Sequence, residues 1–443
     1  MNKIKKYLNK GSERTNRAKK NVLTSILIKN FDIGITFLLI PLVLNYLDQT
    51  RFGIWLTLTS IVSWFGYLDI GLGHGLRNKF SEAKASGNFE KAKIYVSTTY
   101  AILVVITLTF LVLFIIVNNF LTWSDILNVD VQIQTNLNEL ALIVFGFFAL
   151  GLTLKLITTI IVADQKPAIR DGIILVGKLL IFTTIYIFTK TIPGSLFYLG
   201  LVYSGIPVLI LLIASLYFFK NKYKEFKPSI HFIRFRYLKE LMGLGWKFFI
   251  IQIALVIIMS TDNIIISQLY SPTFVTPYQI ANKYFGLILI GFTIVVTPLW
   301  SASNEALFNK DIKWIKSSVK KLQVVAFLFS LISILMLISS KYIYHFWIGD
   351  EVEISYLLSF FWMLFVIICM FNGIYLSVIN GSGEIKTQMG VYILAMIINI
   401  PLSIFFASNL NLGIEGVILA TVVCQALHLL YAPLQYKKIL LKI

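Results

Sequence analysis

Twelve apolar runs follow one another along the chain, at 22–47, 52–70, 94–117, 140–163, 172–189, 195–219, 246–270, 275–301, 321–347, 354–379, 389–407 and 413–435. A helix needs about 20 apolar residues to cross roughly 30 Å of hydrocarbon, so each run predicts a membrane-spanning helix. The predicted fold is an all-α polytopic membrane protein of twelve transmembrane helices.

Composition agrees. The 443 residues are 57% hydrophobic and only 14% charged, and the mean hydropathy is +0.80. A soluble domain of this length cannot cover that much apolar surface with so few charges. The segment before the first run, "MNKIKKYLNKGSERTNRAKK", is basic like the start of a signal peptide. The run behind it spans about 26 residues, against roughly 7–15 for a signal core, and no small-residue cleavage site follows. It is read as a retained first span.

The net charge of +18 changes the picture only through its placement. Segments on the side of the N-terminus hold 31 Lys and Arg, and the opposite segments hold three, Arg51, Lys190 and Lys341. By the positive-inside rule both termini are cytoplasmic. The cations thus mark loops, not a nucleic-acid face, and no recognition motif accompanies them. Cys369 and Cys424 lie inside apolar runs, and the four histidines lack ligand spacing. No disulfide framework, metal site or cofactor is read from them.

A shift of 223 residues lays "SEAKASGNFEKAKIYV" (81–96) over "NEALFNKDIKWIKSSV" (304–319) without a gap, pairing Glu82 with Glu305, Ala83 with Ala306 and Lys93 with Lys316. In the second copy Ile312, Ile315, Val319 and Leu322 share one helical face, and Lys313, Lys316 and Lys320 another. That pattern fits either an interfacial helix or a basic loop running into the next span. A weaker echo pairs "VADQKPAIR" (162–170) with "INGSGEIKT" (379–387). Each half then holds six spans. An even number makes the repeats parallel, with a site expected between them near the midplane. The predicted organisation is a cytoplasmic basic tail (1–21), a six-helix lobe (22–219), a cytoplasmic linker (220–245), a second six-helix lobe (246–436) and a short cytoplasmic tail (437–443). Two lobes around a central cavity describe a transporter.

Ionisable groups inside spans are costly and mark candidate sites. They are Lys29, Lys155, Lys178, Lys247 and Lys283, with Asp32, Asp262 and, at a span end, Asp69. Lys29, Lys155 and Lys178 lie six to eight residues from the cytoplasmic ends of their spans, about 9–12 Å deep. They either snorkel to the interface or line a cavity. Lys29 and Asp32, three residues apart, either neutralise each other or act separately. Lys247, at a span end, is read as snorkelling. Asp262 and Lys283 lie at similar depth on adjacent antiparallel spans, which predicts that they pair. Asp262 is otherwise a capping group or a proton carrier. Pro41, Pro207, Pro298 and Pro401 sit within spans, where proline kinks helices, and Pro41 is the hinge candidate.

Two stretches, "RFGIWLTLTSIVSWFGYLDIGLGHGLRNKFSEAKASGN" (51–88) and "STDNIIISQLYSPTFVTPYQIANKYFG" (260–286), resemble the polysaccharide-transporter branch of the multidrug/oligosaccharidyl-lipid/polysaccharide (MOP) exporter superfamily, the Wzx-type O-antigen flippases. The most specific pieces are Asp-Ile-Gly-Leu-Gly at 69–73 with Arg77 and Asn78, and Thr-Asp-Asn at 261–263. The resemblance implies a MATE-like V-shaped fold with a cationic cavity. It also implies a flippase in the bacterial cytoplasmic membrane that turns undecaprenyl-pyrophosphate-linked oligosaccharide from the inner to the outer leaflet. Its partners would be that lipid-linked glycan, membrane lipids, a polysaccharide polymerase and a chain-length regulator.

On that view Lys29, Lys155, Lys178 and Lys283 are substrate-binding candidates, supplying mobile charges for a pyrophosphate. Asp32 and Asp262 are candidates for ion coupling or charge pairing. A drug antiporter of the same superfamily is the first rival, but it would line its cavity with carboxylates. A membrane glycosyltransferase, polymerase or ligase is the second. It would need a charged cluster on a sizeable loop, and the longest outer loop, 118–139, holds only Asp125, Asp130 and Glu139. No catalytic residue, nucleotide-binding glycine pattern or ATP-hydrolysis motif is read.

The loop charges predict that cysteines placed at 1–20 and 220–240 react only with membrane-permeant thiol reagents in intact cells. Labelling of 220–240 by an impermeant reagent would overturn the topology.

Overall fold

A computed structural model describes residues 13–67, 71–129, 136–242 and 245–442, and those residues fold into helices without a strand. In chain order the helices are α1 (Glu13–Tyr46), α2 (Gln49–Trp64), α3 (Leu72–Ala85), α4 (Phe89–Asn118), α5 (Trp123–Leu127), α6 (Leu137–Leu154), α7 (Leu156–Ala163), α8 (Pro167–Thr191) and α9 (Leu196–Lys220). They continue with α10 (Leu238–Met242), α11 (Gly245–Leu269), α12 (Pro272–Phe308), α13 (Ile312–Ile348), α14 (Tyr356–Ser382), α15 (Lys386–Ile404) and α16 (Ile414–Leu441). Helix is what an apolar medium demands, since every N–H and C=O must find its partner within the segment.

Eleven stretches of the described residues are long and apolar enough to cross a membrane. In the twelfth expected span, 52–70, the regular helix stops at Trp64 after 16 residues and gives way to a 3₁₀ turn at Phe65–Tyr67. Residues 68–70, which include Asp69, lie outside the described set.

The 223-residue repeat reappears in the backbone. Helices α3 and α4 end and begin at Ala85 and Phe89, and α12 and α13 do so at Phe308 and Ile312, 223 positions later. Both turns place their middle residue in the left-handed region, Gly87 at φ 73° and Lys310 at φ 57°. Both bond the next residue back across the turn, Asn88 N–H to Ala83 C=O and Asp311 N–H to Ala306 C=O. Both then cap the following helix, Asn88 accepting from Lys91 N–H and Asp311 from Trp314 N–H. An uncapped helix start leaves N–H groups unsatisfied, so the cap side chain fixes where each span begins. Of the two readings left open for 312–322, the structure takes the continuous one. Ile315 and Val319 are buried in the first turns of α13, which runs unbroken to Ile348.

Contacts divide the chain into two units. The first comprises 1–48, 65–124 and 130–246, and its core joins Leu76 and Phe80 of α3, Tyr95 and Val96 of α4, Ile157 and Ile161 of α7 and Phe219 of α9. The basic segment 220–242 is packed onto this core. Tyr223 and Phe226 are buried in it, and buried Ser97 and Thr98 of α4 accept hydrogen bonds from the backbone N–H of Ser229 and Arg234. Tyr95 O–H donates to Glu240 at 2.7 Å.

The second unit comprises 49–64, 125–129 and 247–443. Here α2 lies directly on α12. Gln49 Nε2 donates to Thr273 C=O, Thr276 donates to Gln49 C=O, and Asn263 of α11 donates to Leu56 C=O. Gly53 permits this approach, because a Cβ there would overlap the carbonyl of Pro272. The aliphatic part of the core joins Ile251, Ala254 and Ile258 of α11 to Ala395 of α15 and Cys424 of α16.

Gly53→Ala forces α2 away from α12. Overpacking of this kind costs about 1–3 kcal/mol, so the variant should unfold several degrees below the parent in a detergent-solubilised thermal melt. Gly66→Ala, where nothing lies within 4 Å, is the matched control and should unfold with the parent.

Candidate functional site

The sixth and seventh helices begin the site. Leu137–Ala163 is one apolar stretch, but its helix breaks at Lys155, which closes α6 and opens α7. The Lys155 carbonyl accepts from Thr158 N–H at 3.0 Å, from Thr159 N–H at 3.3 Å and from Thr158 Oγ1 at 2.6 Å. Lys155, Thr158, Thr159 and Val162 line one wall of a cleft of about 210 Å³. Gly73 and Arg77 of α3 and Arg170 of α8 complete the lining. Three cations and two hydroxyls therefore meet within one unit. Arg170 donates through Nε and Nη2 to Asp171 Oδ1 at 2.9 and 2.6 Å, which fixes its guanidinium.

The cleft walls are latched where α3 and α7 end. Ser81 of α3 donates to Ala163 C=O at 2.8 Å. Asp164, which follows α7 and is 10% exposed, is bound by Lys84 of α3, by Lys166, by Lys222 at 3.2 Å and by the Tyr223 hydroxyl at 2.9 Å. Burial alone would raise the Asp164 carboxyl. The hydrogen bonds of Lys166, Lys84 and Tyr223 outweigh it and hold the carboxyl below the usual carboxylate range. Burial and the adjacent carboxylate push the Tyr223 phenol upward.

Of the readings left open for Lys29 and Asp32, the structure gives Asp32 a different partner. Lys178 Nζ of α8 lies 2.8 Å from the Asp32 carboxylate and donates to Thr36 Oγ1 at 2.9 Å. Thr36 in turn donates to the Asp32 carbonyl. Lys29 is exposed on α1 one turn earlier. Among the cation candidates, then, Lys155 joins the cleft, Lys178 is committed to Asp32, and Lys29 lies at the surface. Lys178 spans from α8 to α1, a contact no local spacing reveals.

In the second unit Asp262 is 2% exposed. Its Oδ2 accepts from Tyr278 O–H at 2.5 Å and from Thr421 Oγ1 at 3.1 Å, and its Oδ1 has no hydrogen-bond partner. Two hydroxyls thus take the place of the expected pairing with Lys283, whose side chain is exposed. The side chain of Lys247 lies outside the described residues. Pro41 lies within α1, which continues through it to Tyr46. Sequence reasoning missed Arg170, Thr158 and Thr159. Arg170 sits in a short polar loop that reads as topological charge, and threonine within an apolar run carries no signal of its own.

This arrangement, an all-helical chain with charged groups set inside spans, is that of a membrane transporter fold. The solved structures similar to it include an inward-facing MATE family multidrug resistance transporter of the MOP superfamily, at TM-score 0.70 and 13% identity, covering 95% of this chain and 98% of that one. The outward-facing form matches at TM-score 0.65 and 13% identity, covering 95% and 96%. The family model for polysaccharide biosynthesis proteins matches residues 18–304. The chain belongs to that family, the polysaccharide-transporter branch its sequence resembles. Among curated relatives, a putative O-antigen transporter of Salmonella typhi is 25% identical over 289 residues, 64% of each chain. A putative O-antigen export protein of Yersinia pseudotuberculosis is 23% identical over 283 residues, 62% of each chain. The match spans less than two thirds of the length of these relatives.

Asp164 supplies a pH test of the latch. Its carboxyl is held below its unfolded value of about 3.9, so the stabilisation is fully present above about pH 4 and is lost as pH falls through the folded value. Asp164→Asn should lower the unfolding temperature by several degrees at pH 7, and the gap to the parent should close as pH falls through the folded value of Asp164.

Proposed function

We propose that this protein is a flippase that carries undecaprenyl-pyrophosphate-linked glycan from the inner to the outer leaflet of the bacterial cytoplasmic membrane by alternating access. The carrier serves O-antigen or capsular polysaccharide assembly, and its two transport halves are 22–219 and 246–436. The observation that carries the reading is the cleft lined by Arg77, Lys155 and Arg170. A pyrophosphate is multiply anionic and cannot cross hydrocarbon alone, and planar guanidinium groups match its oxygens in pairs. Lys155 adds a point charge, and Thr159 lines the cleft beside it. Lys29, at the surface of α1, suits recruitment of the headgroup before it reaches the cleft. Lys283 has the corresponding role in the second half.

Names of relatives that include O-antigen transport and export support a polysaccharide cargo. Neither they nor the shared MATE fold specify it, since the same fold also serves drug export. Charge decides between them. A cationic drug is repelled by a cleft of three cations, and a phosphate is held. Transport and not bond-making is the proposed activity. A polymerase and a chain-length regulator are the partners that would take the glycan on the outer side.

Asp262 is the proposed coupling group. A carboxylate sealed in a span with one oxygen unpartnered is costly, and such residues typically serve ion or proton movement. Asp32, neutralised by Lys178, is assigned the structural charge pair.

The test is surface polymer in cells at matched membrane levels of each variant. Arg77→Ala, Lys155→Ala and Lys29→Ala should each reduce display at least tenfold, and Arg77→Lys and Lys29→Arg should retain part of it because charge is the requirement. Normal display in both Arg77→Ala and Lys155→Ala would sink the cargo site.

A further inference from the structure

A seam of polar groups runs through the apolar interior of the second unit, and much of it is unmatched by any protein partner. Helix α15 contributes Gln388, Tyr392, Asn399 and Ser403, spaced four or seven residues apart and so on one face. Helix α16 contributes Thr421, Gln425, His428 and Gln435 at the same kind of spacing, all buried. The two faces meet. Asn399 Nδ2 donates to Thr421 Oγ1 at 3.1 Å, Cys424 Sγ donates to the Ala395 carbonyl at 3.5 Å, and the Tyr392 and His428 rings lie 3.9 Å apart. Asn372 of α14 closes the side by donating to Gln425 C=O at 2.9 Å. One end of the seam is Asp262, bonded by Thr421. The other is Gln435, which donates to the Glu384 carbonyl beside the Glu384–Lys442 ion pair. Fourteen residues of helix separate Thr421 from Gln435, about 21 Å.

Along this path polar atoms stand sealed and unpartnered: Asp262 Oδ1, Asn399 Oδ1, Ser403 Oγ, Asn372 Oδ1, Gln388 Oε1 and Gln435 Oε1. His428, 1% exposed, has neither ring nitrogen bonded to protein. Each buried donor or acceptor left unmade costs about 1–3 kcal/mol, and interiors seldom tolerate one, let alone a row. A neutral imidazole needs both a donor site and an acceptor site filled. Isolated unmatched atoms would be noise. Atoms spaced by one helical turn on two facing helices, converging on a buried carboxylate, form a path with the polarity and partner density that internal water requires.

We propose that a file of water molecules threads this seam from Gln435 to Asp262, and that His428 relays protons along it. A proton delivered by the adjacent water to one ring nitrogen gives the imidazolium. The proton on the other nitrogen then leaves to the next water toward Asp262, whose carboxylate accepts it, and the ring returns to neutral. Imidazole is suited to this because its two nitrogens exchange roles near neutral pH. The titratable groups around the relay are Tyr392 on α15, Tyr431 on α16 and Cys369 beside Tyr392 on α14, with Cys424 and Asp262 further along. Of these only Asp262 is a carboxylate.

The inference rests on the reading of Asp262 as the coupling group, but its first test needs no cargo and no transport. In the full chain in nanodiscs, X-ray radiolysis generates hydroxyl radicals from bound water, and mass spectrometry locates the oxidised side chains. Tyr392 and His428 should oxidise at least fivefold faster than Tyr284, which is equally buried and donates its hydroxyl to Met336 C=O. If they oxidise no faster than Tyr284, the seam is dry and the proposal is overturned. The second test is proton flux in proteoliposomes under an imposed pH gradient, read with an internal dye. His428→Phe keeps the stack on Tyr392 and removes both nitrogens. It should lose the labelling at Tyr392 and slow flux at least tenfold. His428→Gln keeps hydrogen bonding without a proton site, and should keep the labelling while losing the flux. Flux equal to the parent in His428→Gln overturns the relay even where the water file stands.

Discussion

A charge or dipole set in an apolar medium must be answered by a neighbour, and this requirement organises the whole chain. It makes the backbone helical, because only a helix satisfies its own N–H and C=O groups. It pairs Asp32 with Lys178 between α1 and α8. It surrounds Asp164 with three lysines and a phenol where three segments of the first unit end. It gives Asp262 two hydroxyl donors deep in the second unit. Along the α15–α16 seam many polar atoms have no protein partner, and that is the ground on which water is proposed there.

The same rule explains why two distant parts of the chain fold alike. The turn at 86–88 and the turn at 309–311 share a left-handed residue, a backward backbone bond and a side-chain cap, at a constant offset of 223. Gly87 adopts that conformation without strain, whereas Lys310 adopts it with a side chain. The tolerated cost shows that the turn geometry is retained where its ideal residue is not. The weaker echo follows the same logic less closely. Gln165 and Gly383 supply the left-handed residue before α8 and α15, but their helices resume two and three residues later, so the register slips.

Cleft and latch belong to one mechanical unit. Arg77 and Lys84 sit on a single helix, and so do Thr158 and Ala163, with Asp164 just beyond. The ion cluster at the helix ends therefore ties the two walls of the cleft together.

The apolar runs, the lysine-rich loops and the 223-residue repeat determined by themselves that the chain is helical, crosses a membrane many times and is built twice over. Those properties depend on composition and period, which are local. The sequence also marked Lys155, Lys178, Asp32 and Asp262 as unusual, because a charge in an apolar run is conspicuous without any structure. It could not assign their partners. Lys178 finds Asp32 across 146 residues, Asp262 finds Thr421 across 159, and Arg170 reads as one more loop cation until the fold sets it in the same cleft as Arg77. Residues 52–70 read as a span, yet the regular helix ends at Trp64. Hydropathy is a property of a segment, and partnership is a property of packing. Only the tertiary structure decided which charges meet, because that depends on which helices pack together.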